Sequence, residues 1–174
     1  HYLSKKYEVE VWVNKPNQQK QGNTSSWKIS IERESNRPDI VRQKMHIDVC
    51  AIPSFDAQKR PIINHYGIDV ATEGYLIPTQ SLEETLADKF IALAYRSRRI
   101  KPRDLWDIVW INQQGITVNS GLAFNKLQAR GKRRDDFFEM LQTQLNRLNN
   151  VNEVKTDFNS EMSRFVPAKI KQRT

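Results

Sequence analysis

The chain has 174 residues, which fits one ordinary domain, or a β-rich and an α-rich part that share a core. Its 38% hydrophobic and 28% charged residues and its mean hydropathy of -0.71 indicate a polar globular protein, and no run approaches the roughly 20 apolar residues of a membrane span. The single cysteine, Cys50, excludes an intrachain disulfide and a zinc site built from cysteines, which favours a reducing, cytoplasmic setting.

The net charge of +8 is spread unevenly along the chain. Residues 1–80 hold 11 Lys/Arg against 9 Asp/Glu, whereas residues 81–174 hold 17 against 11. This excess of positive charge favours a polyanionic partner such as nucleic acid or a nucleotide, with a merely solubilising surface as the alternative. Because the chain begins with His1 and shows no signal-peptide pattern, we expect a fragment of a longer gene product.

The first part of the chain has the pattern of strands, in which apolar and polar residues alternate. Extended segments are predicted, in chain order, over 7–13, 27–32, 44–51, 62–71 and 74–77. A polar loop over 14–26 joins the first two and carries Pro16 and Gly22. In the third segment Met45 and Ile47 share one face and Asp48 lies on the other, away from the apolar layer.

From Ser81 onward the hydrophobic period becomes helical. The run Ser81 to Glu84 predicts a capping box, in which each of these two side chains satisfies the backbone N–H of the other. Helices are predicted over 82–97, 102–114, 120–130 and 134–149, with an amphipathic one near the C-terminus that carries Phe158, Met162, Phe165 and Val166. The second of these helices is expected to stop at Gly115.

Strands followed by helices predict an α+β fold, with a mostly antiparallel or mixed sheet and a helical layer or bundle on one side. We expect a β-rich domain over residues 1–79 and an α-helical domain over 80–174. A doubly wound dinucleotide fold is disfavoured, because no glycine-rich phosphate loop occurs in the sequence.

Four charged residues are expected to meet where the first two helices pack together. Lys89 and Arg96 are seven positions apart, so they lie within about 20° of each other on one helical stripe. Asp104 and Asp107 are three apart and share a face of the next helix. Such a group suits a nucleoside triphosphate, because lysine and arginine contact phosphate oxygens and carboxylates orient both. A structural salt-bridge network, with Arg103 and Asp107 also paired, is the alternative.

At these residues the sequence resembles the AbiEii-like nucleotidyltransferases, the toxins of type IV toxin–antitoxin and phage-defence systems. Six residues of the chain resemble the family's third signature: Lys89, Ala92, Arg96, Arg103, Asp104 and Asp107. Its second signature, a lysine followed by an acidic residue on a strand, resembles Lys44 and Asp48. The resemblance covers about residues 40–112 and implies a polymerase-β-like mixed sheet followed by a helical bundle.

The same resemblance implies an enzyme that moves a nucleoside monophosphate from an NTP to an acceptor, with Mg²⁺ as cofactor. The acceptor would be RNA, such as a tRNA 3′ end, or protein, and a cognate antitoxin would be a partner. Asp48 would hold the metal, and Asp104 and Asp107 would be the further catalytic carboxylates. Nucleotide binding is assigned to Lys89, Arg96 and Arg103.

The family's first signature, a Gly-Ser turn followed by Asp-x-Asp, has no counterpart in the 174 residues. By resemblance this signature supplies two carboxylates to the metal, and Asp48 alone cannot replace them. We therefore expect the isolated chain to be inactive and the full-length parent to be the enzyme.

A second hypothesis is a non-catalytic basic module that binds RNA or a protein through the loop over residues 96–103. Its nucleic-acid-binding candidates are Arg98, Arg99 and Lys101, which would contact phosphates without reading sequence. A second basic cluster, Arg130 to Arg134, is followed by two aspartates and is interpreted as a solvated surface.

The remaining polar and aromatic candidates are assigned structural roles. His46 and His65 lack the spacing of metal ligands. Cys50 is interpreted as a packing residue. The tryptophans are expected in the core rather than as stacking platforms for bases: Trp12, Trp27, Trp106 and Trp110.

Overall fold

A computed structural model of the chain describes residues 1–16, 23–32, 37, 39–63, 67, 74–149 and 151–165. The strands are β1 Glu10–Asn14, β2 Thr24–Glu32, β3 Gln43–Cys50, β4 Ala57–Pro61 and β5 Leu76–Gln80. The helices are α1 Tyr2–Tyr7, α2 Leu82–Ala94, α3 Pro102–Gln113, α4 Ser120–Ala129, α5 Arg134–Asn149 and α6 Val151–Met162. Most of the predicted strand over 62–71 lies outside the described residues, as do His65 and Val166.

The chain forms two compact units, His1–Pro53 and Ser54–Thr174. Small antiparallel sheets precede a group of helices, which confirms the predicted α+β class and agrees with a nucleotidyltransferase-like fold. The domain boundary between residues 79 and 80 stays a prediction. In the part of the chain that the structure describes, every helix is too short or too polar to cross a bilayer.

The first unit contains a three-stranded antiparallel sheet in the order β1-β2-β3. Its register sets Val13 opposite Ile29 and Ile29 opposite Met45, so these apolar side chains share one face. Ser26 lies opposite Asp48 on the other face. The predicted separation of Asp48 from the apolar layer is therefore confirmed.

The apolar face of this sheet is only partly covered. Met45, Ile47 and Val49 on β3 are 47%, 45% and 52% exposed. Among the described residues of the first unit, no side chain is fully buried. Trp12 is 36% exposed and lies under the Arg42 guanidinium at 4.2 Å, so its predicted core role is wrong. The alternation that sets Val11 and Val13 on the apolar face turns Trp12 to the polar face, opposite Ser30.

The chain begins with the short helix α1, where the sequence predicted a strand from residue 7. Lys6 Nζ lies 5.5 Å from the Tyr2 ring and 5.3 Å from the Tyr7 ring, which links the two ends of the helix. Glu8 then turns the chain through a left-handed conformation with φ 53°, and β1 begins at Glu10. Six residues give too few periods for a helical pattern to be recognised.

The second unit begins with the antiparallel hairpin of β4 and β5. β4 was not predicted, because Ala57 to Pro61 has no alternating apolar residues. β5 continues through Pro78, where the sequence predicted that the strand would end. A proline is tolerated there because each strand of a two-stranded ribbon has an unpaired edge.

Helix α2 lies at the centre of the helical part, in contact with α3, α4 and α5, while α6 packs on α3 and α5. The buried cluster contains Ile91, Ala94, Leu127 and Phe137, with the half-buried Phe90, Tyr95, Phe124 and Leu141 around it. The predicted helices are confirmed, although α2 ends at Ala94 rather than near residue 97. Gly115 ends α3 with φ 79°, a conformation that glycine adopts without a steric penalty.

The tryptophans of α3 differ in their burial. Trp106 is half-buried, as is Trp27 on β2, whereas Trp110 is 45% exposed. Ile111 takes the buried position, and its neighbour Trp110 is turned about 100° away from it. The predicted core role of Trp110 is therefore wrong.

Candidate functional site

The four charged residues predicted to meet between the first two long helices do so across α2 and α3. Lys89 Nζ lies 3.1 Å from Asp104 Oδ1 and 2.5 Å from Asp107 Oδ2. Arg96 Nη2 and Nε lie 2.5 Å and 2.9 Å from Asp104 Oδ2. We call these four residues the α2–α3 cluster. The convergence predicted from helical spacing is confirmed, whereas the roles assigned to the residues stay predictions.

Asp104 is the buried centre of the α2–α3 cluster. Its side chain is 9% exposed, against 26% for Lys89 and 27% for Arg96, while Asp107 at the rim is 40% exposed. Burial lowers the pKa of Lys89, but hydrogen bonds to Asp107 and Asp104 outweigh this and raise it above its ordinary value. Lys89 therefore stays charged, and the side chains of Lys89 and Arg96 are both partly open to solvent.

The ends of the two helices fix this geometry. Pro102 begins α3 in the first-turn position that suits proline, and Asp104 lies in the same turn, where the helix dipole favours a negative charge. At the end of α2 the Arg96 carbonyl oxygen accepts a hydrogen bond from Gln144 Nε2 of α5, at 2.7 Å. The cluster is therefore held by neighbouring helices as well as by its own ion pairs.

Arg103 points away from the α2–α3 cluster. Its Nε donates to Glu161 Oε1 of α6 at 3.0 Å, and its guanidinium lies 5.2 Å from the centre of the Phe165 ring. The alternative pairing with Asp107 is therefore wrong, because Asp107 binds Lys89 instead. The assignment of Arg103 to the nucleotide stays a prediction of the resemblance.

Asp48 lies exposed on the polar face of the sheet in the first unit, where its Oδ1 accepts a hydrogen bond from Ser26 Oγ at 2.5 Å. Its approach to the α2–α3 cluster stays a prediction. Across the described ranges, no group of three His, Cys, Asp or Glu side chains is placed to hold a metal ion. One carboxylate does not fit the three-carboxylate Mg²⁺ site that the resemblance implies.

The two basic clusters differ in how their charges are used. Arg98 and Lys101 make no ion pair with any residue that the structure describes, whereas Arg99 binds Glu161 and Asp157. The side chains of the second cluster are all engaged within the chain: Arg130 with Asp88, Lys132 over Tyr95, Arg133 with Asp136 and Arg134 over Phe124. These contacts support the structural interpretation of the second cluster.

Glu84, which the sequence predicted only as part of a capping box, is a buried carboxylate near the start of α2. Glu84 is 0% exposed, and its Oε1 lies 2.5 Å from Lys126 Nζ of α4. It also accepts from Ser54 Oγ at 2.5 Å and from the N–H groups of Phe55 and Asp56 at 2.8 Å. Burial raises the pKa of Glu84, but the hydrogen bonds from these four donors outweigh burial and lower the pKa to about 2.

The predicted capping box is therefore only half right. Ser81 Oγ accepts a hydrogen bond from the Glu84 N–H at 3.0 Å, as expected. The Glu84 carboxylate does not return the bond, and the Ser81 N–H donates instead to the Asp56 carbonyl oxygen at 3.0 Å. No local sequence signal indicates this, because the partners of Glu84 lie about 30 or more positions away.

A family model described as "Nucleotidyl transferase AbiEii toxin, Type IV TA system" matches residues 3–173. The match extends through both compact units, well beyond the residues that carry the resemblance in the sequence. Neither a curated protein nor a solved structure matches the chain significantly.

Proposed function

The chain belongs to the AbiEii nucleotidyltransferase toxin family of type IV toxin–antitoxin systems, and we propose from this that it helps to move a nucleoside monophosphate from an NTP to an RNA acceptor. A tRNA-like 3′ end is the proposed acceptor, with a protein hydroxyl as the other choice. The proposed protein partner is a cognate antitoxin, and the proposed location is the cytoplasm, where NTP and RNA are present. A role in phage defence is part of the same proposal.

The observation that carries this proposal is the α2–α3 cluster. Asp104 binds both Lys89 and Arg96, which keeps two cationic side chains side by side, 26% and 27% exposed. A triphosphate needs such a pair, because lysine provides a compact charge and arginine a planar fork of donors. Asp104 would orient both cations, and Asp107 would hold Lys89 from the open side.

A purely structural salt-bridge network would contain the same three ion pairs, Lys89–Asp104, Lys89–Asp107 and Arg96–Asp104. In that case Lys89 would contribute to stability alone, and its removal would leave nucleotide affinity unchanged. The partial exposure of both cationic side chains favours the binding role, because a phosphate can reach them from solvent.

Asp48 is proposed as a metal ligand through the family resemblance, and it supplies one carboxylate on an exposed face. When Mg²⁺ is bound in such enzymes it neutralises charge on the phosphates. The described residues do not assemble that metal site. The role proposed for these residues is therefore to bind and orient the NTP. We accordingly propose that the isolated chain binds nucleotide without transferring it.

The test is the affinity of the 174-residue chain for a fluorescent NTP, measured by titration for the parent and for Lys89→Ala. Loss of one charge-assisted contact to phosphate costs about 2 kcal/mol, which corresponds to roughly 30-fold weaker binding. The matched control is Lys155→Ala on α6, an exposed lysine whose removal changes the net charge equally. Equal affinities of the parent and Lys89→Ala, below the temperature at which either unfolds, would remove the nucleotide role.

A second candidate function, a non-catalytic RNA-binding module, is favoured by the exposed Arg98 and by Lys101, which stay free of ion pairs among the described residues. Binding of RNA without any nucleotide requirement, in a chain that does not bind NTP, would select this function. Both functions need an RNA-binding surface, and the geometry beside α6 bears on where it lies.

A further inference from the structure

Two arginines hold a single carboxylate outside the α2–α3 cluster. Arg99 Nη2 lies 3.1 Å from Glu161 Oε2, and Arg103 Nε lies 3.0 Å from Glu161 Oε1. Arg99 Nη1 also lies 3.5 Å from Asp157 Oδ2. Each oxygen of the Glu161 carboxylate is therefore bound by a different arginine.

This is also the arrangement in which arginines bind a phosphodiester. A phosphodiester presents two non-bridging oxygens and one negative charge, as a carboxylate does, and arginine donors bind both groups in the same manner. The Glu161 side chain is 14% exposed, whereas those of Arg99 and Arg103 are 58% and 53% exposed. The arginines are therefore accessible from solvent while their donors face the internal carboxylate.

A groove of about 330 Å³ opens beside this contact. Arg164 and Phe165 line it together with Arg99, Arg103 and Glu161. Arg164 has no ion pair within the described part of the chain. Its volume lies near the lower end of the range for small-ligand pockets, about 300–1,000 Å³, which is enough for a phosphate and its sugar. The groove thus offers a third cation and an aromatic ring.

The helix that carries Glu161 buries little apolar surface, with Val154 and Phe158 only half-buried. Met162 is the only fully buried residue among those whose burial is described in α6. A helix that buries little apolar surface shifts at a low cost in free energy. Displacement of Glu161 from the two arginines is therefore accessible without disturbing the core around Ile91 and Leu127.

We propose that Arg99, Arg103 and Arg164 bind the phosphodiester backbone of RNA, and that Glu161 occupies the donors of Arg99 and Arg103 until RNA displaces it. The inference rests on RNA as the acceptor in the proposed function and adds a location and a built-in competitor. With Glu161 displaced, the groove holds three arginines against Asp157. The affinity for RNA then depends on how much more tightly the two arginines bind the RNA phosphate than the Glu161 carboxylate.

The test is fluorescence anisotropy of a labelled single-stranded RNA with the 174-residue chain, at low salt and without NTP or metal. Glu161→Gln keeps the shape of the side chain and removes its charge, so binding is expected to tighten about fivefold. The charge-matched control is Glu139→Gln on α5, an exposed glutamate. A gain for Glu161→Gln no larger than that for Glu139→Gln overturns the proposal.

The double variant Arg99→Gln/Arg103→Gln is expected to weaken binding about tenfold and to abolish the gain from Glu161→Gln. Arg133→Gln/Arg134→Gln, which removes two charges elsewhere, is expected to weaken it less. If the Glu161→Gln gain persists without the two arginines, or both double variants weaken binding equally, the proposal is wrong.

Arg164→Gln provides a test that leaves the Glu161 contacts intact, in case other variants fail to fold. Binding is expected to weaken about threefold, because water and salt screen the contact of an arginine on an open surface with the RNA backbone, and unchanged binding overturns the proposal. Because NTP is absent throughout, failure here leaves the nucleotide result for Lys89→Ala unaffected. The two proposals therefore fail separately.

Discussion

Glu84 shows how one buried carboxylate connects three parts of the second unit. Its side chain joins α2 to Lys126 on α4 and to the backbone ahead of β4 through Phe55 and Asp56. Lys126 is 4% exposed and lies 3.2 Å from Asp88 as well. A buried ion pair of this kind contributes little net stability, but removal of one partner leaves the other buried without its counter-charge.

Glu84→Gln is expected to lower the free energy of unfolding by about 3 kcal/mol at neutral pH, because it leaves Lys126 without its closest partner. The pKa of Glu84 is about 2 in the folded chain, against 4.5 for an ordinary glutamate. The stability that it contributes is therefore complete above pH 4.5 and is lost as the pH falls from there towards 2. Urea unfolding at neutral pH and at about pH 3 measures both effects.

The matched control for this variant is Glu83→Gln, in the same turn of α2, for which we expect a small change in stability at neutral pH. The difference in stability between the parent and Glu84→Gln should narrow as the pH falls, since the glutamine does not titrate. A difference of the same size at both pH values would show that Glu84 is not held in its ionised form.

At the scale of elements, the α2–α3 pair depends on one buried aspartate and one at the rim. Asp104 binds two cations at 9% exposure, whereas Asp107 binds one at 40% exposure. Buried and exposed ion pairs differ in energy chiefly because water screens the exposed one. The two aspartates therefore have unequal roles in holding α3 to α2.

Asp104→Asn is expected to destabilise the chain by about 3 kcal/mol, and Asp107→Asn by about 0.5 kcal/mol. Both variants remove one charge and keep the side-chain shape, so each is the control for the other. Thermal or urea unfolding at neutral pH gives the comparison. Equal losses would show that burial does not set the strength of these ion pairs.

The α2–α3 cluster could be predicted from the sequence because helical periodicity fixes which side chains share a face. Lys89, Asp104 and Asp107 follow this periodicity, whereas Arg96 lies just past the end of α2 and still reaches Asp104. The ion pair between Arg103 and Glu161 joins residues 58 positions apart, and no local pattern encodes which helices pack together. The Lys126 and Ser54 partners of Glu84 were missed for the same reason.

The strands were predicted where apolar and polar residues alternate, as in β2 and β3, and missed where they do not, as in β4. The helix α1 was not predicted, because six residues do not reveal a period, and the strand predicted from Tyr7 begins at Glu10 instead. The family was suggested by a few charged residues, and its match over residues 3–173 covers strands and helices alike.

At the scale of the whole molecule, the two compact units differ in how well they are packed. Among the residues that the structure describes, all the buried hydrophobic ones lie in the second unit, and they include Leu86, Leu93 and Ile111. The first unit has a sheet whose apolar face is half exposed in β3. Local stability follows buried apolar contact, so the units are expected to open with different free energies.

Hydrogen exchange of the isolated chain, followed by mass spectrometry, is expected to be at least tenfold faster in peptides from β2 than in those from α2. Both elements have internal hydrogen bonds, since β2 lies between two strands, so the comparison isolates the effect of packing. Equal protection of β2 and α2 in the isolated chain would contradict it.

Copies of the chain can also stack through the half-exposed side of the β1–β2–β3 sheet, where Met45, Ile47 and Val49 offer a hydrocarbon surface. Mutual repulsion from the net charge of +8 opposes such stacking in dilute buffer. Dissolved salt screens this repulsion beyond about 8 Å at physiological ionic strength, and a bound polyanion cancels it altogether. The positive charge that we propose attracts RNA therefore also opposes association between copies of the chain, and its neutralisation favours clustering.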